Sequence, residues 1–265
     1  MIKLIACDLD DTLLAHDLSI SPGNRSAIQE ILDNNIHFLL MTGRMPAATI
    51  PYWHSLKLTD PCGTFQGAKV IQPRNNEILY ACELERASIE SILRRAQQRN
   101  IHINLYDDQF VYVKEKNKWT DYYQSFAREV QFKEVGALQD YAWQSTAKIL
   151  LMDEHDVLRD LHDELRKNLP PEVHMTFSKP NFLEFTHMQA TKGAALSFLA
   201  DSWNIHPEEV MAIGDSGNDL SMLQYAGLGV AMGNASEPIK DLSNQVTLSN
   251  EEDGVAHALR TWVLG

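Results

Sequence analysis

Cysteine is scarce in this chain: Cys7, Cys62 and Cys82 are its three thiols, an odd number with no Cys-x-x-Cys spacing. That excludes a disulfide framework and a zinc knuckle and fits a reducing compartment. Basic residues are in deficit, 23 Lys and Arg against 36 Asp and Glu, for a net charge of -13. The bulk surface therefore repels polyanions, and nucleic acid is not an expected partner. Long hydrophobic runs are missing as well. The apolar stretches last a few residues, far below the roughly 20 needed to cross a bilayer, and acidic residues arrive by Asp8, too early for the apolar core of a signal peptide. A soluble, cytoplasmic protein with no membrane partner is expected. The ten histidines form no HxH or HExxH pattern, and no repeat or low-complexity segment is visible. What remains is 265 residues with 44% hydrophobic content, enough for one large domain or two smaller ones and inconsistent with a disordered or fibrous chain.

Residues 2–7 form a short apolar run that stops at Asp8-Leu9-Asp10-Asp11-Thr12, as a buried strand ends at a polar loop. Ser21-Pro22 reads as a cap and first-turn proline for a helix carrying Ile28, Ile31 and Leu32. A second apolar run, residues 36–41, is cut off by Thr42-Gly43-Arg44, which completes a βαβ unit. The same pattern returns late in the chain. Thr191-Lys192-Gly193 opens a helix with Leu196, Leu199 and Trp203, and residues 210–213 form a strand ending in Gly214-Asp215-Ser216-Gly217-Asn218-Asp219. The fold class expected is α/β, a Rossmann-like, mostly parallel sheet with helices on both faces.

Residues 83–186 follow a different pattern. A helix with Ile89, Ile92, Leu93 and Ala96 precedes a hairpin of 101–106 with 110–114, and a second hairpin joins 173–178 to 182–186. Between them come a helix near 118–129, a strand at 148–152 and a helix with Leu158, Leu161 and Leu165. This is an α+β insert, so residues 1–82 and 187–265 are expected to form one domain around a second, 83–186.

Parallel strands deliver their loop residues to one edge, where ligands bind. Asp8, Asp10, Thr42, Asp215 and Asp219 should meet there, with Lys192 brought by the helix before the Asp215 strand. Two unit charges ~4 Å apart at an effective dielectric near 20 interact by about 4 kcal/mol, so such carboxylates require a cation. All-oxygen donors favour Mg²⁺. Lys192 at a helix start is electrostatically misplaced, which argues against an ordinary surface role. Cys7 reads as a buried strand residue.

Taken together, Asp8-Leu9-Asp10-Asp11-Thr12-Leu13, Thr42-Gly43-Arg44, Lys192 and Gly214 to Asp219 resemble the four motifs of the haloacid dehalogenase-like phosphatases, in order. The insert between the second and third resembles the large α/β cap of the Cof-type subgroup, type IIB. Residues 229–235 and 253–256 resemble that subgroup's C-terminal segments. The resemblance implies a Mg²⁺-dependent phosphatase acting on small phosphorylated metabolites, sugar phosphates foremost, through an aspartyl-phosphate. Asp8 would be the nucleophile and Asp10 the general acid and base. Thr42, Gly43, Lys192 and Asn218 would bind the phosphoryl group, and Asp8, the Asp10 carbonyl, Asp215 and Asp219 would hold the metal, Asp219 directly or through another ligand. A phosphotransferase or mutase on the same scaffold, and a non-catalytic phosphometabolite-binding regulator, are the alternatives. The sequence leaves the oligomeric state open. Gln66-Gly67-Ala68 stands where Cof-type chains commonly carry Asn-Gly-Ala, and His187-Met188-Gln189 where a Pro-x-Gly turn is usual. Tyr106, Tyr112, Lys114 and Lys179 are the polar insert residues expected to tune substrate choice.

Overall fold

The computed structural model describes all of residues 1–265 except Phe126, Arg128 and Ala142. The chain divides into two compact units, one of Met1–Arg44, Thr49–Tyr80 and Thr191–Gly265, the other of Met45–Ala48 and Ala81–Ala190.

In the first unit, β1 (Leu4–Cys7) is followed by α1 (Pro22–Asp33) and β2 (His37–Leu40). Ser21 caps α1, its hydroxyl accepting from the Asn24 N–H, with Pro22 in the first turn. After α2 (Pro46–Ser55), a helix that the sequence pattern does not announce, β3 (Cys62–Thr64), β4 (Lys69–Gln72) and β5 (Glu77–Ala81) make a small three-stranded sheet.

The insert begins with β6 (Leu84–Glu85), α3 (Arg86–Gln98), β7 (His102–Tyr106) and β8 (Val111–Val113). It continues through α4 (Lys118–Gln124), β9 (Phe132–Glu134), β10 (Ser145–Thr146), β11 (Ile149–Met152), α5 (His155–Leu165), β12 (Val173–Lys179) and β13 (Phe182–His187). The helix expected to reach residue 129 stops at Gln124, with Ser125 as its C-terminal cap; positions 126 and 128 of that expectation lie outside the described residues. The chain then returns to the first unit with α6 (Lys192–Ser202), β14 (Val210–Gly214), α7 (Leu220–Tyr225) and β15 (Leu228–Ala231). It closes with α8 (Glu237–Asp241), β16 (Gln245–Val246) and α9 (Gly254–Leu259).

The main sheet has the order β16-β15-β14-β1-β2 and is parallel throughout. Its strands alternate between two apolar layers: Ile5, Cys7, Phe38, Leu40, Met211 and Ile213 pack with α1 and α9 residues on one face. Leu4, Ala6, Leu39, Val210 and Ala212 pack with α6 and α7 residues on the other. Burial on both faces explains why these strands read as continuous apolar runs. Register does the functional work. Cys7 pairs with both Leu40 and Ile213, so Asp8, the turn at Thr42 and Asp215 leave the sheet at one level, where the strand order switches between β1 and β14.

The insert's sheet has the order β12-β13-β11-β7-β8-β9, antiparallel except for the β8–β9 pair. One face, with Ile103, Leu105, Tyr112, Ile149, Leu151, Leu183 and Phe185, packs with residues of α3 and α5. Pleating sends Asn104, Tyr106 and Glu184 to the opposite face. There Lys148 Nζ lies 3.0 Å from Glu184 Oε2, and the Ser178 hydroxyl donates to Glu184 Oε1 at 2.7 Å. Tyr106 and Tyr112 are thus on opposite faces, and Tyr112 is taken up by packing against Tyr141 and Trp143 and by a 2.6 Å hydrogen bond to Asp107. Lys114 and Lys179 are exposed. Among the described residues no helix is long and apolar enough to cross a membrane.

Candidate active site

Asp8 follows β1 directly, its backbone N–H donating to the Ile213 carbonyl at 3.0 Å, which locks it between β1 and β14. It is 4% exposed. Lys192 opens α6, whose cap is the Thr191 hydroxyl accepting from the Ala194 N–H. Gly67 abuts this helix start: with φ of +89°, it lies so close that an added Cβ would stand 2.2 Å from the Thr191 carbonyl oxygen. A cation in a first helical turn costs ~0.3–1 kcal/mol against the helix dipole. Here two carboxylates outweigh it. The fully buried ammonium donates to Asp8 Oδ1 and Asp219 Oδ1, both at 2.5 Å. Asp219 Oδ2 receives the backbone N–H groups of Asp215 and Ser216, each at 3.0 Å, and so shapes the loop that carries Asp215.

Asp8, Asp215 and Asp219 each place a carboxylate oxygen within 4.8 Å of the others. Three carboxylates against one ammonium leave two negative charges uncompensated. The electrostatics register this imbalance. Burial, then Asp219, push the Asp8 carboxyl well above the usual carboxylate range although Lys192 opposes them. Burial, with Asp219 and Asp11, pushes Asp215 up to about 6 against the hydrogen bond from Thr12. Burial would strip the Lys192 proton, yet Asp8 and Asp219 hold it above the ordinary lysine range. Among the described residues, Asp8 Oδ2 and Asp215 Oδ2 accept no hydrogen bond, whereas both Asp219 oxygens are engaged. Hard oxygen donors, an excess of two negative charges and unused lone pairs are what a divalent cation fits.

The other expected residues divide. Thr42 is fully buried; its N–H donates to the Gly63 carbonyl at 2.9 Å and its hydroxyl oxygen accepts the Arg44 N–H at 3.1 Å, which leaves the hydroxyl proton free to donate. Gly43 lies under the Gln66 amide. Asn218 is exposed and accepts the Ser216 hydroxyl at 2.8 Å. Asp10 does not join the carboxylate cluster. Its side chain, 45% exposed, is held by Arg44, with Nη2 at 2.6 Å from Oδ1 and Nε at 2.9 Å from Oδ2, while Asp11, at φ of +55°, turns the chain and accepts the Asn234 amide at 2.8 Å. Cys7 is fully buried, and burial raises its thiol pKa further. Sequence reasoning assigned no role to Thr12, whose hydroxyl donates to Asp215 Oδ1 at 2.8 Å, or to Arg44. Both stand inside the quoted motifs, so their position was the available signal.

With this geometry in place, the sequence model of the haloacid dehalogenase-like hydrolase family matches residues 5–259. The chain belongs to that family. The 5-amino-6-(5-phospho-D-ribitylamino)uracil phosphatase YcsE of Bacillus subtilis is 33% identical over 266 residues, covering 99% of this chain and 96% of that protein. A haloacid dehalogenase-like hydrolase from Bacteroides thetaiotaomicron superposes with a TM-score of 0.91 at 31% identity, over 98% of this chain and 99% of the other. TM0651 from Thermotoga maritima gives the same TM-score and identity over 98% and 97%. As a Cof-type member of the family, the protein is a phosphoric monoester hydrolase.

Proposed function

We propose that this haloacid dehalogenase-like hydrolase is a Mg²⁺-dependent phosphatase of small phosphorylated metabolites with hydroxyl-bearing leaving groups, sugar phosphates foremost, and that it works through an aspartyl-phosphate on Asp8. The observation that carries the reading is the buried Lys192 ammonium shared by Asp8 and Asp219 at 2.5 Å, beside an Asp215 that leaves the cluster two charges negative. Asp8 and Asp215 have the free oxygens to hold Mg²⁺, with the Asp10 carbonyl as a third donor and Asp219 ordering the loop. When bound, the ion supplies positive charge that keeps the carboxylates ionised and offsets charge on the phosphoryl group.

The residues themselves divide the chemistry. An Asp8 oxygen forms a bond to phosphorus as the bond to the leaving oxygen breaks, and Asp10 gives that oxygen its proton. Asp10 then takes a proton from water as the water oxygen attacks the same phosphorus, which releases phosphate and restores the Asp8 carboxylate. Lys192, the Thr42 hydroxyl, the Gly43 N–H and Asn218 face the transferred group and neutralise or donate to its oxygens. Residues 83–186 act as the cap that reads the leaving group. The name of the B. subtilis relative, a phosphatase of a phosphorylated ribityl compound, supports a small polyol-like substrate. Phosphate release from a panel of sugar and polyol phosphates, with and without Mg²⁺, tests the reading. Release that depends on Mg²⁺ supports it; release that Mg²⁺ does not affect, or none from any sugar or polyol phosphate, would overturn it.

A further inference from the structure

Between β3 and β4 the chain takes three successive left-handed residues, Phe65 (φ +52°), Gln66 (φ +61°) and Gly67 (φ +89°). Two of them have side chains, and a bulky aromatic in this region is a genuine outlier. Strain of this kind persists only where the surroundings over-determine it, and it concentrates at functional sites. Here the surroundings are the phosphate loop itself: the Phe65 N–H donates to the Arg44 carbonyl at 2.9 Å and the Gln66 N–H to the Thr42 carbonyl at 3.0 Å. The result is that the Gln66 amide lies against Gly43 so closely that a Cβ there would stand 2.4 Å from Nε2. Gly43 separates Thr42 from Arg44, and Arg44 holds Asp10. The backbone is thus held in a strained form with the amide laid on the loop between the residues assigned to phosphate and to the proton.

The amide is incompletely satisfied. Gln66 Oε1 is buried and, among the described residues, has no hydrogen-bond donor. A buried acceptor without a donor is costly and calls for an explanation. An ionised phosphoryl group cannot supply one, because it too only accepts. The missing partner must bring a proton; water can do so in the free protein, and in the complex with a phosphomonoester the hydroxyls of the leaving group can.

We propose that Gln66 is a specificity-determining residue whose side-chain carbonyl accepts a hydrogen bond from a leaving-group hydroxyl, selecting polyol- and sugar-type phosphates over their deoxy counterparts. This deepens the phosphatase reading and rests on it.

The test compares matched pairs with the same primary-alkyl phosphate, sorbitol 6-phosphate against hexyl phosphate and glycerol 3-phosphate against propyl phosphate. The quantity read is the ratio of kcat/KM within each pair, which is insensitive to how much folded enzyme a sample contains. p-Nitrophenyl phosphate hydrolysis by the parent reports on the phosphatase reading separately. The parent should prefer the hydroxylated member of at least one pair. Gln66→Met, of similar length but with no acceptor, should lower that ratio about tenfold, the discrimination expected of one well-placed hydrogen bond. Gln66→Glu, which keeps the acceptor and loses the amide N–H, should keep the ratio within about threefold while slowing every substrate. If Gln66→Met does not fold, Gln66→Asn tolerates the positive φ and retracts the carbonyl, and should lower the ratio likewise. A parent active on p-nitrophenyl phosphate that handles both members of each pair equally overturns the proposal, as does a Gln66→Met variant that keeps the parent's ratio. A parent inactive on p-nitrophenyl phosphate and on all four alkyl phosphates would overturn the sugar- and polyol-phosphate reading and this proposal with it.

Discussion

Lys192 and Lys148 are both buried lysines held by carboxylates, one in each unit of the molecule, and they stand in opposite electrostatic situations. Among the described residues Lys148 faces one carboxylate, Glu184, at 3.0 Å, and the pair is neutral. Burial there raises Glu184, but the Lys148 ammonium and the Ser178 hydroxyl outweigh it and hold the acid below the usual glutamate range. Lys192 faces two carboxylates with a third alongside, and there burial and repulsion win, so Asp8 is raised. A balanced buried pair is sufficient in itself and needs nothing further from solution. The unbalanced cluster costs stability unless a cation joins it, and a protein keeps such a cluster where it does chemistry. The carboxylate shift is down in the insert and up in the core, as a balanced pair and an unbalanced cluster would have it.

The largest effect expected is on catalysis in the unbalanced cluster. Asp8→Asn should lower turnover of p-nitrophenyl phosphate by roughly 1000-fold or more, since the amide cannot form the acyl-phosphate. In EDTA the same variant should melt no lower than the parent, because a repelling charge has been removed. Residual hydrolysis near the parent rate in a verified sample would remove Asp8 from the nucleophile's role. Asp10→Asn should cost about 100- to 10,000-fold on alkyl phosphates and distinctly less on p-nitrophenyl phosphate, whose leaving group departs unprotonated. Equal losses on both would argue that Asp10 is not the acid.

The balanced pair should respond in stability instead. Lys148→Met leaves Glu184 buried without its partner and should lower unfolding free energy by about 3–5 kcal/mol in urea titration. Adding Glu184→Leu should recover most of that loss, as replacing a whole buried pair by apolar groups is often neutral. A double variant no better than the single one would mean that Lys148 serves more than the pair.

Smaller, and opposite in sign between the units, is the response to pH. Glu184 is depressed when folded, so its contribution is present above the unfolded glutamate pKa and fades as pH falls through the folded value. Asp215 is raised to about 6, so its contribution is present below its unfolded pKa and is lost as pH rises through about 6. In EDTA, stability measured between the unfolded aspartate value and pH about 6 should therefore decline for the parent more than for Asp215→Asn. Parallel curves would show that the cluster is not strained by its own charge.

Much of this was legible in the sequence, for a physical reason. A strand buried on both faces is written as an apolar run, and the abrupt change to Asp8, Thr42 and Asp215 marks its carboxyl end, so these three candidate-site residues could be brought to one sheet edge by topology alone. The ion pair between Arg44 and Asp10 was not legible, because it joins residues 34 apart across two loops. Nor was the posture of Gln66, since Phe and Gln have no preference for the left-handed region that would announce it. Tyr106 and Tyr112 were indistinguishable as candidates until the β7–β8 register, Tyr106 opposite Val111, put them on different faces. The strands within residues 62–81 carry little signal of their own; β5 among them is largely exposed and without the alternation that marks a half-buried strand.

The excess negative charge around Asp8 calls for a divalent cation that phosphoryl transfer would need. The most direct test of this is the rate of p-nitrophenyl phosphate hydrolysis by the parent protein after EDTA treatment and again after Mg²⁺ is added back. Hydrolysis should be lost with EDTA and restored by Mg²⁺. A rate that EDTA leaves unchanged would contradict the requirement for a cation.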